Sequence, residues 1–253
     1  MTLEMQQTPT DFEREPVEKV DSLVLVDLDR TLIKSDELVD VVAEYQIAHS
    51  DDDAQDKAIL EYAARVHEGA GGAVSPYAYM REAFGLEADP EQLAQDMVRF
   101  FGEEELVKRI VISGAKELVD FLDESTEQGI CAYGLQTFTE DVVGQEFKIA
   151  LLRRLLEPKH MKQWIVNHQA KATRLEAQIS GDGSQPFHMA DGEVRIEAQH
   201  AIIIDDKEKN LLHSTPERLR SIHVYADDVA PSTPKDAVSL EQAVEILKMN
   251  LAA

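Results

Sequence analysis

Basic residues are scarce in this 253-residue chain: 25 Lys and Arg stand against 49 Asp and Glu, a formal net charge of −24. Such an excess repels phosphate backbones and anionic lipid surfaces, so neither nucleic acid nor a membrane is expected as a partner. Cysteine is almost absent. The single Cys131 cannot close an internal disulfide and lies in an apolar run, as a buried thiol in a reducing compartment does, which makes the cytoplasm the default expectation. No apolar run approaches the ~18 to 20 residues of a spanning helix, and the polar N-terminus lacks the apolar stretch of a signal peptide. The chain therefore reads as soluble and unprocessed. What it does have is a globular composition, 43% apolar and 29% charged. At this length roughly 70–75% of the unfolded surface can be buried, enough for a sizeable core.

Residues 1–19 carry no sustained periodicity and contain Pro9 and Pro16, which reads as a tail or a surface strap. Residues 22–27, SLVLVD, form a short continuous apolar run ending in a carboxylate, the pattern of a strand buried on both faces of a parallel sheet. Residues 35–109 then switch to helical spacing, as in Leu38, Val41, Val42, Tyr45 and Ile59, Tyr62, Ala63, Val66, with breaks at 50–53, at Gly69, Gly71 and Gly72, and at Asp89-Pro90. About four helices are expected there. Beyond Val111 an α/β rhythm returns: helix 115–127, strand 130–135, helix 140–156, strand 164–166, helix 171–179, strands 201–204 and 222–225, helix 240–249. Alternating strands and helices imply right-handed crossovers and a parallel sheet covered by helices on both faces, and Asp191-Gly192 suggests a hairpin turn within that rhythm. The expected architecture is a Rossmann-like three-layer α/β core, residues 20–34 and 110–253, with an all-helical insertion at 35–109.

Ligands of open parallel sheets gather at the carboxyl ends of the strands. Here the first expected strand ends in Asp27-Leu28-Asp29-Arg30-Thr31, the second in Gln136-Thr137, and a later one in Asp205-Asp206. So many carboxylates at one edge repel one another unless a cation sits among them, and all-oxygen ligation without His or Cys points to Mg²⁺ rather than zinc. Two carboxylates spaced as Asp27 and Asp29 can face different sides of one bound group and divide the labour of nucleophile and general acid or base.

VLVDLDRTL, with Asp27, Asp29 and Thr31, resembles the first motif of the haloacid dehalogenase (HAD) superfamily of phosphohydrolases. Thr137 is similar to the second-motif residue, Lys171 at the start of KATRLEAQI to the third, and Asp205 and Asp206 in AIIIDDKEKN to the acidic fourth. Lys148 is a rival for the third position, set aside because it lies mid-helix only eleven residues after Thr137. The resemblance implies a Mg²⁺-dependent phosphatase acting on a small phosphorylated metabolite. In it Asp27 attacks phosphorus to form an aspartyl phosphate, while Asp29 protonates the leaving oxygen and then activates water. It further implies Mg²⁺ held by the Asp27 and Asp206 carboxylates and the Asp29 carbonyl, with Asp205 in support. Thr137, Lys171 and the main-chain N–H groups of Leu28 and Asp29 would hold the phosphate. The helical insertion matches the family's cap, with 69–72 and the stretch near Ser35 as moving or specificity elements. Two other readings share the site: a phosphomutase-like transferase, and a catalytically silent binding protein of the same fold.

Single residues also have plainer readings. Asp206 can serve as a helix N-cap, Thr137 can simply end its strand, and Lys171 can be one more solvated lysine. Asn210 could orient the metal site or sit on a helix surface. Arg30 fills a position often Gly in the family and is given no role. The histidines, among them His160, His200 and His223, lack metal-binding spacing and read as surface or internally satisfied groups. Residues 35–109 hold 18 acidic and 6 basic side chains, so this segment carries half the net charge, the mark of a solvated helical surface.

Overall fold

The computed structural model describes residues 17–68, 89–138, 142–166, 187–189, 192–207, 210–211, 219–225 and 237–251. The expected helix at 171–179 with Lys171, the 69–72 turn and residues 1–16 of the expected tail lie outside them. The strands are β1 (Val17–Val26), β2 (Cys131–Phe138), β3 (Lys162–Val166), β4 (Phe187–Met189), β5 (Gly192–Asp205) and β6 (Leu219–His223). Helices α1 (Ser35–Ala48), α2 (Asp53–His67), α3 (Pro90–Phe101), α4 (Glu103–Ile110) and α5 (Ala115–Glu127) separate β1 from β2; α6 (Val142–Leu156) follows β2, and α7 (Leu240–Leu251) follows β6.

Among the described residues five strands run parallel in the order β3-β2-β1-β5-β6, with Val24 of β1 level with Tyr133 of β2 and Ile202 of β5. Because successive side chains alternate across a sheet, Val24 and Val26 enter one core with Tyr133 and Leu135 while Leu23 and Leu25 enter a second with Ala132, Ala201 and Ile203. Both faces are dry, which is why this strand is a continuous apolar run. Cys131 is buried at the start of β2, and burial pushes its thiol up to about 11.

The largest departures from the expected strand bounds are in β1 and β5. β1 starts at Val17, inside the expected tail, and β5 starts at Gly192 rather than at 201, because Val17–Val20 pairs with Arg195–Ala198. The stretches VEKV and RIEA mix charged residues with apolar ones, so they lack the unbroken apolar signature of the strand centres. Antiparallel pairing of Met189 with Gly192 makes β4 and β5 neighbours, but Gly192 is already the first residue of β5 rather than part of a turn, and Asp191 lies outside the described residues. Lys162 of β3, almost fully buried, is paired across to Glu18 of the β1 extension at 3.1 Å.

The insertion is helical wherever it is described. Asp89 caps α3, accepting from the N–H groups of Glu91 and Gln92, with Pro90 in the first turn where its missing N–H costs nothing. Leu38, Val41 and Val42 of α1, Leu93 and Met97 of α3, and Leu106 and Ile110 of α4 join the same core as Val24 and Val26, so these helices are packed onto the sheet domain. A separate small cluster, Val39 and Ala43 with Ile59 and Ala63, fastens α2 to α1.

One buried polar group secures the far side. Asp123 of α5 accepts from the Tyr133 hydroxyl at 2.6 Å and from the main-chain N–H groups of Lys159 and His160 at 2.9 Å each. Removing it strands three donors, each costing on the order of 1–3 kcal/mol where buried. Asp123→Ala should therefore lower stability by about 3 kcal/mol or more, read from the midpoint of urea unfolding, whereas Tyr133→Phe, which removes only one donor, should cost about 1 kcal/mol.

Candidate active site

At the carboxyl edge of the sheet, β1 gives way to a tight loop. The Asp27 N–H still donates to the Ile204 carbonyl of β5 at 2.8 Å, which keeps Asp27 level with Asp205. The Leu28 carbonyl then accepts from the N–H groups of Leu32 (3.0 Å) and Ile33 (3.1 Å), and Arg30 donates its N–H to the Ile33 carbonyl at 2.8 Å. This turn forces Arg30 to φ 62°, a left-handed conformation, which is the physical reason glycine suits that position. The Arg30 side chain points outward to Asp36 at 3.0 Å. Entry to and exit from the helical insertion lie side by side: Lys34 N–H donates to the Ile110 carbonyl at 2.7 Å, and Ile112 N–H to the Leu32 carbonyl at 3.0 Å.

Adjacent parallel strands ending at one level bring three carboxylates together. Asp27, Asp205 and Asp206 each offer an oxygen within 4.8 Å of the others. Oxygens around an octahedral Mg²⁺ at about 2.1 Å from the ion are about 3 to 4 Å apart, so this donor set fits a small hard cation. Asp205, fully buried, is held in place: its Oδ1 accepts from the Lys207 N–H at 2.9 Å, and the Asn210 amide donates to its Oδ1 and Oδ2 at 3.0 and 3.1 Å. Of the two readings of Asn210, orientation of the acidic cluster is the one the structure supports. His223, which ends β6 opposite Asp205, places its ring Nε2 3.1 Å from the Asp206 carbonyl. It is an internally satisfied histidine, as expected, but one that braces the acidic cluster.

Asp29 faces elsewhere. Its Oδ1 accepts from the Ser35 hydroxyl at 2.6 Å and from Lys148 Nζ at 2.7 Å, and its Oδ2 from Gln145 Nε2 at 3.3 Å. Burial alone would raise its pKa, but the Lys148 charge and these hydrogen bonds outweigh it and bring the carboxyl from an ordinary 3.8 down to about 2. It is therefore ionised at neutral pH, and the pairing contributes stability above pH 3.8 that is lost as the pH falls toward 2.

The lysine that meets Asp29 is thus Lys148, three residues from Gln145 on one face of α6. Lys171 lies outside the described residues. Thr137 sits in β2 two positions beyond Leu135, which is level with Val26, so its backbone is at the same edge of the sheet. Leu28 and Thr31 are buried in the loop, and the Thr31 hydroxyl has no partner among the described residues.

Among solved structures, a protein assigned as a haloacid dehalogenase-like hydrolase from Burkholderia xenovorans LB400 superposes with a TM-score of 0.52 at 17% identity, covering 92% of this chain and 99% of that one. The fold is haloacid dehalogenase-like. A haloacid dehalogenase-like family hydrolase from Xanthomonas campestris is similar with a TM-score of 0.42 at 18% identity, covering 93% of this chain and 98% of that one. No family model and no curated protein matches the sequence. Within this haloacid dehalogenase-like fold, the acidic cluster stands where β1 and β5 end side by side, at the edge where open α/β sheets bind ligands. No helix among the described residues is long and apolar enough to cross a membrane.

Ser35 and Gln145 escape a linear reading. Ser35 opens α1 in a stretch expected only to move or to set specificity, and Gln145 is one amide on a helix that mixes apolar and charged residues. His223 lies within the strand expected at 222–225, and its place beside Asp205 follows only from the pairing of β6 with β5.

Proposed function

We propose that the chain is a Mg²⁺-dependent phosphatase of the haloacid dehalogenase type, hydrolysing a small phosphorylated metabolite. The observation that carries this reading is the pairing at one sheet edge of a three-carboxylate cluster with a second, lysine-bound carboxylate, Asp29. The acidic cluster suits the metal, and Asp27 is its member on the same loop as Asp29. Asp27 and Asp206 would ligate Mg²⁺ through their carboxylates and Asp29 through its carbonyl. Asp205, already engaged by Asn210 and the Lys207 N–H, supports the set. When bound, the metal offsets the negative charge of the phosphate and of the carboxylates around it.

Asp27 attacks phosphorus, the bond to the leaving oxygen breaks, and Asp29 supplies that oxygen's proton. Water then attacks the aspartyl phosphate, giving its proton to Asp29 and regenerating the Asp27 carboxylate. Asp29 is ionised beside Lys148, so it becomes an acid only when phosphate arrives: the dianion draws the Lys148 charge toward itself and adds a repulsive charge of its own, both of which favour a proton on Asp29. Lys148 then stabilises the transferring phosphoryl group, with Thr137 and the N–H groups of Leu28 and Asp29.

The direct test is release of p-nitrophenolate from p-nitrophenyl phosphate with Mg²⁺ and with chelator. Metal-dependent release is expected; its absence across a broad panel of phosphate monoesters would leave a silent binding protein as the better reading. The brace on Asp205 gives a second measurement. Asn210→Leu should raise the Mg²⁺ concentration needed for half-maximal rate by about 10–100-fold while leaving the rate at saturating Mg²⁺ close to native.

A further inference from the structure

Gln145 lies in α6, where nearly every other inward-facing side chain is apolar, and is only 3% exposed. Its Nε2 donates to Asp29 Oδ2. The reverse amide orientation would set an acceptor oxygen against the carboxylate, so Asp29 itself dictates which end of the amide faces it. The other end, Oε1, is buried and accepts no hydrogen bond among the described residues. An acceptor buried in this way costs on the order of 1–3 kcal/mol, a cost that a donor arriving during the reaction would remove. It shares an amide carbon with the group bonded to Asp29, so that donor sits beside the Asp29 carboxylate. Lys148 and Ser35 already direct their donors to Asp29 Oδ1.

We infer that Gln145 positions the water that hydrolyses the aspartyl phosphate, accepting one of its protons through Oε1 while Asp29 accepts the other. Both protons of such a water point at acceptors, which leaves a lone pair directed away from them for attack on phosphorus. As the water oxygen bonds to phosphorus, the bond from phosphorus to the Asp27 oxygen breaks, the proton facing Asp29 transfers to it, and the second remains on the product phosphate. Gln145 neither gains nor loses a proton. Formation of the aspartyl phosphate uses the proton of Asp29 and has no need of an acceptor at Gln145, so the two half-reactions depend on this side chain unequally. The inference rests on the phosphatase reading above and assigns a residue to its second step.

Rapid-quench kinetics with p-nitrophenyl phosphate and saturating Mg²⁺ test it. Gln145→Met keeps the volume of the side chain and removes the acceptor. The expected result is a burst of about one nitrophenolate per chain at a near-native rate, followed by steady turnover slowed roughly 10–100-fold, with an acid-precipitable acyl phosphate accumulating. Gln145→Glu loses the donated bond to Asp29 but keeps an accepting oxygen, and should turn over within about tenfold of native without a burst. It carries the test alone if the Met variant does not fold. A role limited to holding Asp29 through Nε2 predicts instead that both variants lose first-turnover and steady-state rates in parallel, and that result, like native turnover in Gln145→Met, overturns the inference. If the native chain shows no Mg²⁺-dependent release that Asp27→Asn abolishes, the phosphatase reading itself falls; if it does and no burst appears in Gln145→Met, only the role of Gln145 falls.

Discussion

Asp27→Asn should abolish Mg²⁺-dependent phosphate release, by on the order of 10⁴-fold or more, because an amide of the same shape cannot serve as the nucleophile and no other group takes over the covalent step. Stability should move the other way. Asp27, Asp205 and Asp206 place oxygens within 4.8 Å of one another, and without metal their mutual repulsion is a strain on the folded state. Neutralising one of the three relieves part of it, so the metal-free variant should melt at or above the native temperature, and the Mg²⁺-induced rise in Tm should shrink. Loss of activity with a lowered Tm would indicate general damage to the loop from Asp27 to Ile33 instead. Activity measured beside calorimetry with and without Mg²⁺ separates the two outcomes.

Lys148→Met should lower kcat/KM by about 10²–10³-fold, the scale of removing one positioned charge from a developing phosphoryl transition state. A pH effect should accompany it. Lys148 is the main influence holding Asp29 down to about 2; without it burial dominates and the Asp29 pKa rises, which shifts the acidic limb of the rate profile upward. Stability that the native pair contributes above pH 3.8 and loses toward pH 2 should likewise be missing from the variant, seen as a flatter acid unfolding curve between those values. Lys171→Met is the companion variant, expected to retain near-native rates. The reverse pattern, with Lys171→Met crippled and Lys148→Met active, would assign the phosphate-binding lysine to Lys171.

This pair of lysines illustrates what a linear reading can and cannot reach. A lysine in the middle of a helix, eleven residues after Thr137, looks remote from a strand end. Yet α6 follows directly on β2, and a helix packed back on its own sheet carries a side chain one or two turns from its start over the carboxyl edge. The same packing brings Gln145 to Asp29, and the turn from Leu28 to Ile33 folds Ser35 back onto it. None of these contacts has a local signature, because each depends on the angle between a helix and the sheet. The extensions of β1 and β5 were hidden for a different reason. Their charged residues are interspersed with apolar ones along a partly exposed ribbon, so they look like tail and loop until each strand is seen as the other's partner.

Continuous apolar runs ending in carboxylates were enough, by sequence alone, to predict a parallel α/β sheet and to name Asp27, Asp29, Asp205 and Asp206, and the helical spacing of 35–109 placed a helical insertion between the first two strands. These follow from short-range physics: burial on two faces demands unbroken apolar strands, and a strand end is the one place such a strand can deliver a charge. Tertiary structure alone decided how those charges are divided. Asp27, Asp205 and Asp206 converge because β1 and β5 are neighbours in register, while Asp29, only two residues along, is turned away by the loop and captured by Ser35, Gln145 and Lys148. Two carboxylates that look equivalent in the sequence thereby acquire opposite surroundings, one among negative charges and one against a lysine, and that difference rests on long-range packing.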